Sequence, residues 1–274
     1  IYSFLDISTI KRISFRNDIN GLRAISVLAV VFYHADIPFF DGGWLGVDVF
    51  FVISGYLISN IIISELNENK FSFGNFYIRR AKRILPALFS MLLFTVPFSY
   101  FLLTPKAMIE YTQSLFSSIF FYANYYFQNL DFYNATPTKF MPLLHTWSLA
   151  IEEQFYLIFP LICFLIYKIN KQIFTLSLSI FLIFSVFLNS TTSELLKFYQ
   201  IQYRAWELVL GAIVMIFQNK INIKYIEKAG IAILFFSIFY FDDTTLTINS
   251  IEPRIVSNLG VALLLLSSYK GIVN

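Results

Sequence analysis

The chain has 274 residues, of which 57% are hydrophobic and 14% charged, and carries a formal net charge of +3. That is too little polar surface for a water-soluble globule of this size, so composition excludes a soluble domain and predicts an all-α, polytopic integral membrane helix bundle. The small positive charge is ordinary for basic cytoplasmic loops and gives no reason to expect a nucleic-acid partner, while one cysteine, Cys163, excludes a disulfide framework and a thiolate metal site.

Apolar runs near the roughly 20 residues that a spanning helix needs recur along the chain. They predict about eight transmembrane helices, at 19–37, 47–64, 84–103, 148–168, 173–189, 205–218, 229–241 and 255–269. Residues 1–18 precede the first span, and 19–274 form one membrane domain. A further run at 110–127 carries Glu110, Gln113, Asn124 and several tyrosines, and is assigned as non-spanning or re-entrant. Lysine and arginine asymmetry supports this arrangement with a cytoplasmic N-terminus. Lys11, Arg12 and Arg16, the cluster from Lys70 to Arg83, Lys168 with Lys171, and Lys220, Lys224 and Lys228 then all lie inside. Only Lys106, Lys139, Lys197, Arg204 and Arg254 lie outside. Making 110–127 a span would reverse every later loop.

Five constellations could carry chemistry. Arg23 and His34 lie eleven residues apart in the first span. That is about three helical turns, so both project from nearly the same face, about 16 Å apart along the axis. Ionisable groups within a span are costly and mark functional sites, although Arg23 snorkelling to the headgroups and His34 ending the span is the plainer alternative. Next, Asp41 and the glycine-rich turn after it lead into the second span, with Asp48 near its outer end and Ser54, Gly55 and Tyr56 in its middle. Asp48 could partner His34 across the short outer loop, and Gly55 could admit a neighbouring helix or a substrate.

Arg79, Arg80 and Arg83 sit at the cytoplasmic lip of the third span. Their three- and four-residue spacings converge on one helical face as a polyphosphate clamp requires, but positive-inside bias alone would also place them there. His145 lies seven residues before Glu152, two turns along one face, and Glu152, Glu153 and Gln154 enter the span together. They line a cavity or form a structural polar cluster. Arg204 and Glu207 form an i, i+3 pair, with the arginine at an unusual place near a helix N-terminus. No Gly-x-Ser-x-Gly elbow, P-loop or His/Cys metal spacing occurs.

The segment from Phe15 to His34, the block Val47 to Ile58, the arginine cluster and the run His145 to Tyr156 together closely resemble the acyltransferase-3 family of integral membrane acyltransferases. The resemblance runs from about residue 15 to the end, and the second block looks most like the branch of O-antigen acetylases and peptidoglycan O-acetyltransferases. The family's final helices, and the extracytoplasmic SGNH hydrolase-like domain that many of that branch carry, do not follow, so a fragment of a longer protein is expected. The resemblance implies transfer of an acyl group, usually acetyl from acetyl-CoA, to a hydroxyl of an envelope polysaccharide such as lipopolysaccharide O-antigen, capsule or peptidoglycan, or of its lipid-linked precursor, at the bacterial cytoplasmic membrane. It maps the family's Arg-x10-His motif onto Arg23 and His34, its cytoplasmic arginine motif onto Arg79, Arg80 and Arg83, and its Arg-x-x-Glu onto Arg204 and Glu207.

On that reading the CoA phosphates dock on the three arginines and the pantetheine arm enters the bundle. His34 then acts as general base or carries the acetyl group. Asp48 or Glu152 orients the imidazole, Arg23 positions CoA or an oxyanion, and no metal is required. Ser54, Tyr56, His145, Glu153, Arg204 and Glu207 form a substrate or structural polar cluster. The alternative is a transporter or flippase in which Arg23, His34, Asp48 and the carboxylates line a proton or substrate pathway. Exchange of Arg79 and Arg80 for lysine separates the two, since topology signals tolerate lysine and a phosphate clamp does not.

Overall fold

A computed structural model describes residues 10, 16–130, 135–189, 192, 194–218, 225–242 and 251–267. The first helices are α1 (Asn17–His34), α2 (Gly46–Asn67), α3 (Phe73–Leu102), α4 (Pro105–Ile119), α5 (Ala123–Gln128) and α6 (Thr146–Ile162). After them come α7 (Lys171–Asn189), α8 (Glu194–Tyr199), α9 (Ile201–Phe217), α10 (Ile226–Tyr240) and α11 (Ile251–Leu266). No strand occurs among the described residues.

The helix starts follow local chemistry. Ser72 caps α3 by accepting from the Asn75 amide, Thr104 caps α4 beside Pro105, and the Asn170 side chain accepts from the amides of Gln172 and Ile173 at 2.8 and 3.0 Å to open α7. Between α1 and α2 the chain turns through Asp36 and Phe39, both at positive φ, and enters a single 3₁₀ turn at Asp41–Leu45. Each of the eight predicted spans overlaps a helix, although residues 35–37 of the first form a turn and residues 268 and 269 of the last lie outside the described residues. α3 starts well before its predicted span, so the arginine cluster is already helical. The run 110–127 is not one helix: positive φ at Phe121 breaks it into α4 and α5, of 15 and 6 residues.

Four helical stretches, 41–67, 73–102, 146–167 and 171–189, are long and apolar enough to cross a membrane, and the protein is an all-α membrane bundle. The helices on the other predicted spans, α1, α9, α10 and α11, have 18, 17, 15 and 16 residues. The helix that begins as α6 continues past Pro160 through a π-helical turn at Cys163–Tyr167, where the buried Cys163 fills core space as a small apolar residue.

α2 is the central helix, packed on α1, α9 and α11, while α9 also packs on α7 and α10 pairs with α11. Gly55 and Gly211 make the α2–α9 crossing. A Cβ on Gly55 would stand 1.8 Å from the carbonyl oxygen of Leu208, and one on Gly211 would stand 2.0 Å from that of Val52. The two backbones therefore touch, in the small-residue packing common in membranes. α3 stands off at the edge and packs chiefly on α4, leaving Leu93, Phe94 and Phe101 exposed. The space between α3 and the bundle is where the polar residues gather.

Candidate active site

A cavity of about 380 Å³ lies between α1, α2, α3 and α6. Its polar wall is Arg23, Ser54, Arg80, Arg83, His145, Glu152 and Tyr156, and its apolar wall includes Leu57, Ile58, Ile84, Leu88, Met91 and Leu149. This is the size and character of a small-molecule site, mostly apolar with a few convergent polar groups.

The helices order the wall. α3 contributes Arg80, Arg83, Ile84, Leu88 and Met91 in succession, and α6 contributes His145, Leu149, Glu152 and Tyr156. Arg80 interacts electrostatically with Tyr156 and Glu153, so the two helices run in opposite directions along the cavity. One end is therefore cationic, with Arg80 and Arg83, and His145 stands at the other. The Arg80 Nε is buried with no hydrogen-bond partner among the described residues, as a guanidinium awaiting an anion would be. Arg80 and Arg83 thus fit a ligand carrying phosphates.

Glu152 sits between the ends. Ser54 Oγ donates to its Oε1 at 3.0 Å and the Tyr156 hydroxyl to its Oε2 at 3.1 Å, while Arg23 and Arg83 add favourable charge. Both oxygens of a half-buried carboxylate are thereby engaged, which holds it in one orientation on the cavity wall. Ser54, on the central helix, joins α2 to α6 at this point.

The two histidines differ in setting. His34 is the last residue of α1 and exposed, and its Nδ1 lies 2.8 Å from the Val30 carbonyl oxygen. A carbonyl only accepts, so Nδ1 carries the proton and Nε2 of the neutral ring is the basic nitrogen. His145, at the N-cap of α6, is also exposed, and its surface opens on the cavity. Partial desolvation by the surrounding protein atoms draws its pKa below the ordinary value of 6.5, a hydrogen bond to the Pro142 backbone opposes this, and the charge of His34 adds to the lowering. The two imidazoles are thus electrostatic neighbours, just as Arg23 and Glu152 are one level away.

Six of the residues singled out in the sequence lie away from the cavity. Asp48 is fully buried and pairs with Arg204 Nη2 at 2.5 Å rather than with His34. Arg204 also reaches Glu207 at 3.0 Å, with its guanidinium over the rings of Phe51 and Trp147, so Arg204 and Glu207 belong to a deep ion cluster away from the cavity. Packing of α2 on α9 sets this pairing, which no local spacing encodes. Arg79 does not line the cavity: its Nη2 contacts both oxygens of Glu65 on α2 at 2.8 and 3.0 Å. Tyr56 points the other way, accepting from Arg16 Nη1 at 2.6 Å and donating to Gln218. Glu153 stands beside Arg80 and Glu152 but does not line the cavity.

Sequence reasoning passed over two features. Arg254, buried at 2% exposure, adds favourable charge to Glu207 and completes a cluster of two arginines and two carboxylates. A charged residue at the lip of the last predicted span was the available signal. Gln154 donates to Asn124 Oδ1 at 2.8 Å and to the Phe121 carbonyl at 2.9 Å, while Asn124 donates to the Tyr199 carbonyl at 3.0 Å. This polar clamp ties α5, α6 and α8 together; Asn124 and Gln154 stood out in the sequence as polar residues in apolar runs, but nothing local paired them. Among the described residues no group of three or more His, Cys, Asp or Glu is placed to hold a metal ion.

An all-α membrane bundle around a phosphate-compatible cavity with histidines at its far end agrees with the comparison to known families. The family described as "Acyltransferase domain" matches residues 16–271, and the chain belongs to it: the protein is a membrane acyltransferase. Over 158 residues it is 40% identical to the O-acetyltransferase OatA of Staphylococcus aureus strain NCTC 8325 / PS 47, and equally to that of strain COL. The match covers 56% of this chain and 26% of those proteins, so the chain corresponds to only part of the curated relatives it matches. No solved structure matches it.

Proposed function

We propose that this chain is the membrane part of an O-acetyltransferase that moves acetyl from acetyl-CoA to a hydroxyl of a cell-envelope polysaccharide or its lipid-linked precursor. The observation that carries the proposal is the cavity, cationic at Arg80 and Arg83 and bearing His145 at its other end. The acyltransferase family and the likeness to OatA support the reaction class. Eight spans with residues 1–18 in the cytoplasm, in a bacterial cytoplasmic membrane, would turn the arginine end toward cytoplasmic CoA and the histidine end outward.

On this reading Arg80 and Arg83 bind the CoA phosphates, and the pantetheine arm runs along the apolar wall to bring its thioester near His145. Arg23, on the same cavity wall as Glu152, presents charge toward the oxygen that becomes negative when the thioester carbonyl is attacked. His34 Nε2, made the basic nitrogen by the bond that Nδ1 gives to the Val30 carbonyl, takes the proton of the acceptor hydroxyl. Over the whole reaction the carbon–sulfur bond of the thioester breaks, CoA leaves as the thiolate, and the hydroxyl oxygen ends bonded to the acetyl carbon.

The test measures O-acetyl groups on envelope polysaccharide by mass spectrometry. The host lacks the gene and carries the full-length protein either unchanged or as His34→Ala. Acetyl groups restored by the unchanged protein and absent with a normally expressed variant are expected. Restoration by both removes His34 from the chemistry, and restoration by neither defeats the O-acetyltransferase reading.

A further inference from the structure

The donor cavity has one histidine on its wall, and it is His145. His34 ends α1 outside that wall, exposed, with its ring fixed through Nδ1 and its basic nitrogen free. His34 is near enough to His145 to disfavour protonation of its ring. Arg23, lower on α1, shares the cavity wall with Glu152 and His145. A thioester delivered along this cavity from Arg80 and Arg83 meets His145 first. His145 is not a link in the other polar ties of the bundle, since its described hydrogen bond is to the backbone of Pro142 just before it in the chain.

The geometry points to a division of labour between the two histidines: His145 is the catalytic residue that accepts the acetyl group within the cavity, and His34 is the base that hands the acceptor hydroxyl to it. This rests on the acetyl-CoA reading above and adds a covalent step to it. A ring nitrogen of neutral His145 bonds to the thioester carbonyl carbon, and collapse of the adduct breaks the carbon–sulfur bond and releases CoA thiolate. The other ring nitrogen keeps its proton, and the acetyl-imidazolium is the carrier. The acceptor oxygen then bonds to the acetyl carbon, its proton passes to His34 Nε2, and the bond to His145 breaks to restore neutral imidazole.

An acyl-enzyme makes the first half-reaction reversible without acceptor. The experiment incubates the purified full-length protein in detergent with acetyl-CoA and isotopically labelled CoA, and measures label entering acetyl-CoA. Exchange is expected with the unchanged protein. It is expected to persist in His34→Ala, which loses transfer to polysaccharide, and to fall at least a hundredfold in His145→Gln. His145→Asn, judged against melting temperature and labelled-CoA binding, guards against loss of folding. Absence of exchange in an unchanged protein that restores envelope acetylation overturns the inference and leaves the O-acetyltransferase reading standing. So does exchange undiminished in His145→Gln. Failure of the unchanged protein to acetylate the envelope in cells defeats the reading beneath it.

Discussion

Asp48 on α2 and Arg204 on α9 meet at 2.5 Å with neither residue more than 1% exposed. They are 156 positions apart in the chain and sit a few turns from the glycine contact that brings their helices together. The pair, with Glu207 and Arg254, puts two positive and two negative charges in one buried place, and its neutrality is what makes the burial tolerable.

Removing one partner takes away the ion opposite the other. Asp48→Asn and Arg204→Gln are each expected to destabilise the protein by about 3–5 kcal/mol, because the buried cluster loses the balance between its charges. The double variant is expected to lose markedly less than the sum of the two. Melting temperatures in detergent, arranged as a double-mutant cycle, measure this, and strict additivity would show that the two side chains do not interact.

The α2–α9 crossing tolerates no side chain at Gly55. Gly55→Ala places a methyl group against the Leu208 backbone, which cannot give as a flexible side chain would. A loss of at least about 1–3 kcal/mol is expected, the usual scale for overpacking. Gly74→Ala is the control, since the nearest atom there is Ser72 Oγ at 4.0 Å. Monodisperse elution in detergent by the control and aggregation or a lowered melting temperature in Gly55→Ala is the expected result.

The three clustered arginines are not equivalent. Arg80→Ala and Arg83→Ala each remove a guanidinium from the cavity wall, and a hydrogen bond to a charged group is worth about 1.5–3 kcal/mol. The KM for acetyl-CoA is therefore expected to rise about ten- to a hundredfold. Arg79→Ala breaks a part-exposed pair with Glu65, worth about 0–1 kcal/mol, and is expected to change KM by less than about threefold. Steady-state kinetics with purified protein separates the two outcomes, and equal effects at all three positions would contradict the geometry.

The CoA exchange reaction supplies a pH test, because it calls on His145 without His34. Partial desolvation by the surrounding protein, and to a smaller extent His34, draw the His145 pKa below 6.5. The neutral ring is the active form, so exchange is expected to reach half its maximum only at a pH below 6.5. Stability follows the same sign: the folded state favours neutral His145, so its contribution is intact above 6.5 and is lost as pH falls through the folded-state pKa. A half-maximal rate at or above pH 6.5 would mean that the ring is not desolvated.

How much of this was legible beforehand depends on the range of the interaction. Apolar runs, proline and glycine punctuation and lysine asymmetry act within one helix or one loop, so the helical membrane class and all eight helical runs could be read directly. Helical spacing placed Arg80 and Arg83 on one face and His145 above Glu152, and motif order identified the family. Spacing names a face, however, and not what stands across from it. Packing sent Arg79 to Glu65 and its neighbour Arg80 to the cavity, gave Asp48 to Arg204 instead of His34, and turned Tyr56 toward Arg16 while Ser54, two positions earlier, met Glu152. These choices follow from which helices touch and at what rotation, a result of burying all the side chains at once. That is why the cavity, and the placing of His145 rather than His34 on its wall, belong to the tertiary structure alone.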